Sequence, residues 1–248
     1  MHDKTAVLIL EAPWEIYEGD VNRSSVEPFF QGLAKLSNDV DILHSRFYDV
    51  SSFRSAFKAL SSCRYKNAIV YVAGHGDGQR VGGAKIVDIM VECNLSSVAA
   101  NITGVVLGSC FSAGNARRSQ AANINTLVQA SNIAWVAGYN CAAFWYESTI
   151  VDLSIIRHML NADEDAFKTR EGISTQLAKG IECFSPHFAL GDDGKNDEQS
   201  QRFSLRDGIT FFSQPRGQGN RSRIVTSEVW AAWQTLQLVE DVEELEDC

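Results

Sequence analysis

The chain has 248 residues, a formal net charge of −9, 45% hydrophobic residues and 21% charged residues. That length supports one large domain with a full core, while no apolar run approaches the ~20 residues needed to span a bilayer. The acidic balance argues against broad binding to nucleic acid or to anionic membrane surfaces.

The first strand is expected at Thr5–Leu10, a short apolar run that leads into Glu11, Ala12, Pro13 and Trp14 rather than into an export signal. The default expectation is therefore a cytoplasmic protein. Val26–Leu36 carries Val26, Phe29, Phe30, Leu33 and Leu36 at helical spacing, and Val40–Tyr48 reads as a second strand. Ser51–Leu60 presents Phe53, Phe57 and Leu60 on one helical face, with its serines placed to cap the start. Ala68–Ala73 is the third strand and ends at Gly74-His75-Gly76.

The glycine-rich segment Asp77–Lys85 reads as a turn or small hairpin, followed by a helix at Ile86–Ala100 and a strand at Gly104–Leu107 ending in Gly108-Ser109-Cys110. A fifth strand at Ala134–Gly138 lies between helices at Asn123–Ala130 and Glu147–Leu160. Further on, Ile173–Ile181 reads as helix, Asn161–Gly172 and Gly191–Gln201 as exposed loops, and Phe203–Phe212 as a strand pair turning at Asp207-Gly208. Val229–Val242 reads as an amphipathic helix with Trp230, Trp233, Leu236 and Val239 near one face.

Strands alternating with helices imply right-handed crossovers and an α/β fold: a three-layer sandwich with a mostly parallel central sheet covered on both faces. We expect a single domain over 1–248, with its core at about 5–215 and a C-terminal amphipathic acidic helix at about 226–248. Six cysteines (Cys63, Cys93, Cys110, Cys141, Cys183, Cys248) show no Cys-x-x-Cys spacing, and no His-x-x-x-His pair is present. Free thiols are expected, with neither a structural zinc site nor any other metal.

Two strand tips carry the chemistry. One delivers the imidazole of His75 and a later one the thiol of Cys110 to the sheet edge where α/β proteins bind ligands. A thiol becomes a strong nucleophile on losing its proton, and an imidazole can accept it. Attack on a carbonyl creates an oxyanion that needs fixed N–H donors. The backbone N–H groups of Gly76 and Cys110 are the candidates, with Gly76 allowing close approach. Taken singly, a strand-terminal cysteine or a lone histidine is more often structural; the pairing at successive tips reverses that judgement.

Other motifs fit less well. Cys-x5-Arg would mark a phosphatase, but Arg117 and Arg118 stand seven and eight positions after Cys110. Gly108-Ser109-Cys110-Phe111-Ser112 has only the first glycine of a hydrolase elbow, and Gly74-His75-Gly76-Asp77-Gly78 lacks the third glycine of a dinucleotide loop. Cys141 reads as a packing residue, and His44 as a core or surface one.

His-Gly after an apolar strand, then apolar-strand-Ser-Cys about 35 residues later, resembles the caspase-like cysteine peptidases. Ala73-Gly74-His75-Gly76 and Ser109-Cys110-Phe111-Ser112-Ala113-Gly114 look most like their bacterial CHAT-type branch, over roughly residues 5–160. The resemblance implies a hydrolase, a thiol protease acting on protein or peptide substrates without a cofactor. Cys110 would be the nucleophile, His75 the general acid/base that protonates the leaving amine, and Gly76 and Cys110 the oxyanion hole. Glu11, Trp14, Gly108, Tyr139 and Asn140 would line the pocket for the residue before the scissile bond.

Metacaspases that cut after Arg or Lys carry an acidic residue two positions before the cysteine, where this chain has Gly108. The acidic candidates left are Glu11 and Asp77, so a neutral or small-apolar preference stands level with a basic one. The family further implies latency relieved by an activating protein partner, by oligomerisation or by processing, for which Asn161–Gly172 and Gly191–Gln201 are the exposed candidates. The alternative is a catalytically silent scaffold of the same fold. A cysteine-dependent amidase or transferase on small amides is a third class.

Overall fold

The computed structural model describes residues 4–14, 24–36, 39–114, 119–129, 131–195, 199–216 and 221–246. In chain order the first half comprises β1 (Thr5–Glu11), α1 (Glu27–Leu36), β2 (Val40–Arg46), α2 (Val50–Leu60), β3 (Asn67–Ala73), β4 (Arg80–Val81), β5 (Ala84–Lys85), α3 (Ile86–Ala100), β6 (Ile102–Gly108) and α4 (Ser119–Val128). The second half comprises β7 (Trp135–Tyr139), β8 (Ala142–Ala143), α5 (Trp145–Leu160), a 3₁₀ turn (Glu164–Lys168), α6 (Arg170–Gly180), β9 (Ala189–Asp192), β10 (Arg202–Ser204), α7 (Leu205–Gly208), β11 (Ile209–Ser213), β12 (Arg223–Ile224) and α8 (Thr226–Glu246).

The main sheet has seven strands in the order β12-β11-β7-β6-β3-β1-β2. Strands β2, β1, β3, β6 and β7 run parallel, and β11 and β12 close the sheet antiparallel. Every residue of β1, β3 and β6 is buried, which explains why these strands read as continuous apolar runs rather than alternating ones.

Side chains alternate between two cores. Val7, Ile9, Ile69, Tyr71 and Val106 pack with Phe30 of α1 and with Val151, Ile155 and Met159 of α5 on one face. Leu8, Leu10, Val70, Val72 and Leu107 pack with Phe53 and Phe57 of α2, Met90 of α3 and Ile124 of α4 on the other. Helices therefore cover both faces, as the alternating pattern predicts. Because β1 is flanked by β2 on one side and β3 on the other, the chain reverses direction across the sheet at β1. This topological switch point opens a crevice beyond the C-terminal ends of β1 and β3.

Several elements differ from the sequence expectation. The cap of α2 is Asp49 rather than a leading serine: its carboxylate accepts from Ser52 N–H, and Ser52 returns the bond in a capping box. The segment 203–212 is not a hairpin; β10 pairs with β9, whereas β11 pairs with β7 beyond the intervening one-turn α7. Gly191 is buried in β9, so 191–201 is not wholly an exposed loop. The stretch 161–172 holds the 3₁₀ turn and the start of α6, with Phe167 buried. The C-terminal helix is observed, with Trp230 buried and Trp233 and Leu236 packed on the core; the Val239 side chain lies outside the described residues. Among the described residues, no helix is long and apolar enough to cross a membrane.

Candidate active site

The turn after β6 carries Cys110 and is tied down on every side. Ser112 Oγ donates to Leu107 O at 2.7 Å and accepts from Tyr139 N–H at 3.1 Å. Phe111 N–H donates to Cys141 O and Ala113 N–H to Tyr139 O, each at 3.0 Å. These bonds hold Phe111 at φ 55°, a left-handed conformation that costs a residue with a side chain about 1–2 kcal/mol. Backbone strain beside a reactive side chain is a recurrent feature of functional sites.

Removing the Ser112 hydroxyl strands the buried Tyr139 N–H. Ser112→Ala is accordingly expected to cost about 1–3 kcal/mol in urea denaturation and to raise proteolytic nicking near Cys110.

The His75 loop is built around glycines. Gly74 takes φ 150°, and a Cβ there would meet the Ala12 Cβ at 2.8 Å. His75 O accepts from Gly82 N–H at 2.7 Å, and Gly76 bridges Val81 across the base of the β4–β5 hairpin. A Cβ on Gly76 would collide with Ser109 Oγ and lie 2.5 Å from Cys110 O. The imidazole-bearing loop thus rests directly on the thiol-bearing turn, the two strand tips having been brought together by the parallel β3–β6 pairing.

Burial pushes the Cys110 thiol up from its ordinary value. Backbone hydrogen bonds with Ala143, with Cys110 itself and with Gly76 act against that rise, while the Asp192 carboxylate adds to it. The Sγ lies 3.8 Å from Ala143 O on β8. Cys141 is fully buried, its thiol pushed up to about 12 by burial with help from Cys110 and Asp192, which suits a packing role.

The expected pocket residues divide sharply. Trp14 reaches one of the two candidate residues: its ring meets the His75 ring edge-on, with centroids 5.6 Å apart and planes at 77°. Glu11 is not available to a substrate, because it is 1% exposed and both carboxylate oxygens are occupied. Oε1 accepts from Trp14 Nε1 at 2.7 Å and from Val26 N–H at 2.8 Å; Oε2 accepts from Ser25 Oγ at 2.6 Å and pairs with His44 Nε2 at 2.9 Å. Burial alone would raise this carboxyl, but the bonds from His44, Ser25, Val26 and Trp14 prevail and hold it below the usual carboxylate range. His44 is thus neither plain core nor free surface, since its Nδ1 also pairs with Glu27 at 3.2 Å.

Tyr139 is fully buried and points below the sheet edge, donating its hydroxyl to Asp152 Oδ1 at 2.6 Å. Asn140 Nδ2 donates to Thr210 Oγ1 at 2.6 Å. Asp77 is exposed, but its Oδ1 caps the Gln79 and Arg80 N–H groups, each at 2.8 Å. At Gly108 the Tyr71 ring fills the space a side chain would need, its hydroxyl lying 2.6 Å from an ideal Cβ.

Sequence reasoning missed the aromatic wall beside Trp14. Trp145, at the start of α5, meets Trp14 at 6.0 Å and Phe29 at 5.6 Å between ring centroids. The run Phe144-Trp145-Tyr146 directly after β8 was the available signal. Among the described residues no cluster of three or more His, Cys, Asp or Glu side chains could hold a metal ion. No family model matches this chain and no curated protein matches it in sequence, so its chemistry is read from the thiol, the imidazole and the N–H groups around them.

Proposed function

We propose that this protein is a cysteine peptidase of caspase-like type, with Cys110 as nucleophile and His75 as general acid/base. One observation carries the reading: Gly76 packs against Ser109 and Cys110 so closely that no side chain fits between the two loops. The Cys110 sulfur attacks the amide carbon, and the developing oxyanion is held by the Gly76 and Cys110 N–H groups. The thiol proton passes through His75 to the leaving amine, giving a thioester and a free amine. Water then attacks the thioester as His75 takes its proton, releasing the acid and restoring the thiol.

The raised thiol supports a resting state that is mostly protonated, with nucleophilicity developed as substrate or an activating protein partner docks. With Glu11 sealed and Asp77 capping a turn, the charges on hand favour a neutral or apolar residue over a basic one before the scissile bond. Cys63, Cys93, Cys110, Cys141 and Cys183 are all free, which fits the reducing cytoplasm.

The test is labelling by a peptide-based thiol-reactive probe, together with turnover of a mixed peptide library. Cys110→Ala is expected to abolish both signals, and His75→Ala to lower turnover by about 10²–10⁴-fold. Labelling that survives Cys110→Ala would sink the dyad. Clean Cys110 labelling without any peptide turnover would favour a scaffold or a small-amide hydrolase instead.

A further inference from the structure

The His75 ring is exposed, and among the described residues no hydrogen bond reaches it. Its ring neighbour is Trp14. An imidazole that must face a sulfur and then a leaving nitrogen loses efficiency if it samples several rotamers, which is why many nucleophile–imidazole pairs have a third group to orient the base. Here the flanking Gly74 and Gly76 offer no side chains to restrain it.

Trp14, by contrast, is fixed from behind. Its indole N–H donates at 2.7 Å to Glu11, and Glu11 is immobilised by Ser25, Val26 and His44 from two other segments of the chain. The Trp14 ring system also meets Trp145 edge-on. A buried carboxylate with four partners at the end of β1 is far more than one loop contact requires. Of those partners, Trp14 is the one whose ring also meets His75.

We propose that Glu11 and Trp14 form the orienting element of His75: Glu11 fixes the indole, and the indole fixes the plane of the imidazole. Both are positioning residues that act through His75. This assignment rests on the Cys110–His75 reading and adds the group that aims the base. It replaces the pocket-lining role that the sequence suggested for Glu11.

The test compares two alkylating probes at Cys110 in the full chain, iodoacetate and iodoacetamide, in mildly acidic buffer. A nearby imidazolium accelerates the anionic reagent but not the neutral one. The ratio of their rate constants therefore reports the position of the charged ring, and a general loosening of the fold cancels out of it.

In His75→Ala the ratio is expected to fall about fivefold, the effect in water of one charge at about 4 Å. Trp14→Ala and Glu11→Gln are expected to fall most of the way to that value. Trp14→Phe, which keeps a ring but loses the bond to Glu11, is expected to fall between. Should Glu11→Gln fail to fold, the partly exposed Trp14 still gives two variants. Ratios unchanged from wild type in Trp14→Ala, with His75→Ala lowered, overturn the orienting element alone. A wild-type ratio in Trp14→Phe alongside a lowered Trp14→Ala overturns the part assigned to Glu11. An unchanged ratio in His75→Ala overturns the dyad itself.

Discussion

Gly76→Ala is expected to lower peptide turnover by about 100-fold or more, the typical result of misplacing a reacting group by about 1 Å. The added methyl would strike Ser109 Oγ and approach Cys110 O to 2.5 Å and Arg80 O to 3.2 Å. The cysteine turn is held in place, because Ser112, Phe111 and Ala113 bind it to β6, to β7 and to Cys141 just before β8. The His75 loop must therefore move away, taking with it the imidazole and the Gly76 N–H that we propose as an oxyanion donor. Overpacking of this kind costs about 1–3 kcal/mol of stability, which urea denaturation would register beside the kinetic loss. Gly32→Ala is the control: nothing lies within 4 Å of its ideal Cβ, and it sits inside α1. That variant should keep activity and gain about 0.5–1 kcal/mol. Near-normal turnover in Gly76→Ala would show that the two loops are not coupled in catalysis.

The second large effect is on stability and comes from Asp152. It is 0% exposed on α5, and burial pushes its carboxyl up to about 7, even though hydrogen bonds from Tyr139 and Tyr71 act in the other direction. In the unfolded chain this group ionises near its ordinary value of 3.8. Between those two values the folded protein holds a proton that the unfolded chain has released, so stability falls as pH rises through this window. The slope is about 1.4 kcal/mol per pH unit and the total about 4 kcal/mol, complete above the folded value.

Asp152→Asn removes this titration. Its stability, followed by urea denaturation, is expected to be flatter from about pH 4 to about pH 8, and the variant should overtake wild type at the alkaline end. The gain is reduced by about 1–3 kcal/mol if the new amide hydrogens find no acceptor. A wild-type slope in the variant would rule Asp152 out as the source. Glu11 works in the opposite sense. Its lowered carboxyl stabilises the fold above the ordinary value of 4.5, and that stabilisation is lost as pH falls through the folded value.

The parallel core was legible because β1, β3 and β6 are buried on both faces, a condition that writes itself as unbroken apolar sequence ending at small residues. His75 and Cys110 stood out for the same reason, as reactive groups placed where such runs stop. The segment 189–213 was not legible. Strands β9 and β10 are four and three residues long, and β8, which pairs with β9, is a pair of alanines. Nothing in their own composition demands pairing; tertiary placement does.

Glu11 was visible as an acid at a strand tip, but its meaning depends on partners as distant as His44, 33 residues away. Asp152 gave no signal at all. A single acid in an amphipathic helix reads as surface until the Tyr71 and Tyr139 rings are seen above it.

The bed of the thiol is completed by chain that is made late. Ala143, whose carbonyl lies near the Cys110 sulfur, belongs to β8, and β8 is held by β9. Asn140 N–H donates to Gly208 O, and Phe144 N–H to Leu190 O. During synthesis His75 and Cys110 leave the ribosome well before residues 189–213 do, and domains begin to fold from their N-terminal side. A growing chain thus passes through a stage that has the reactive side chains but no finished surroundings for the sulfur. The surroundings of the sulfur mature only once residues 189–213 have been made and β9 has paired with β8.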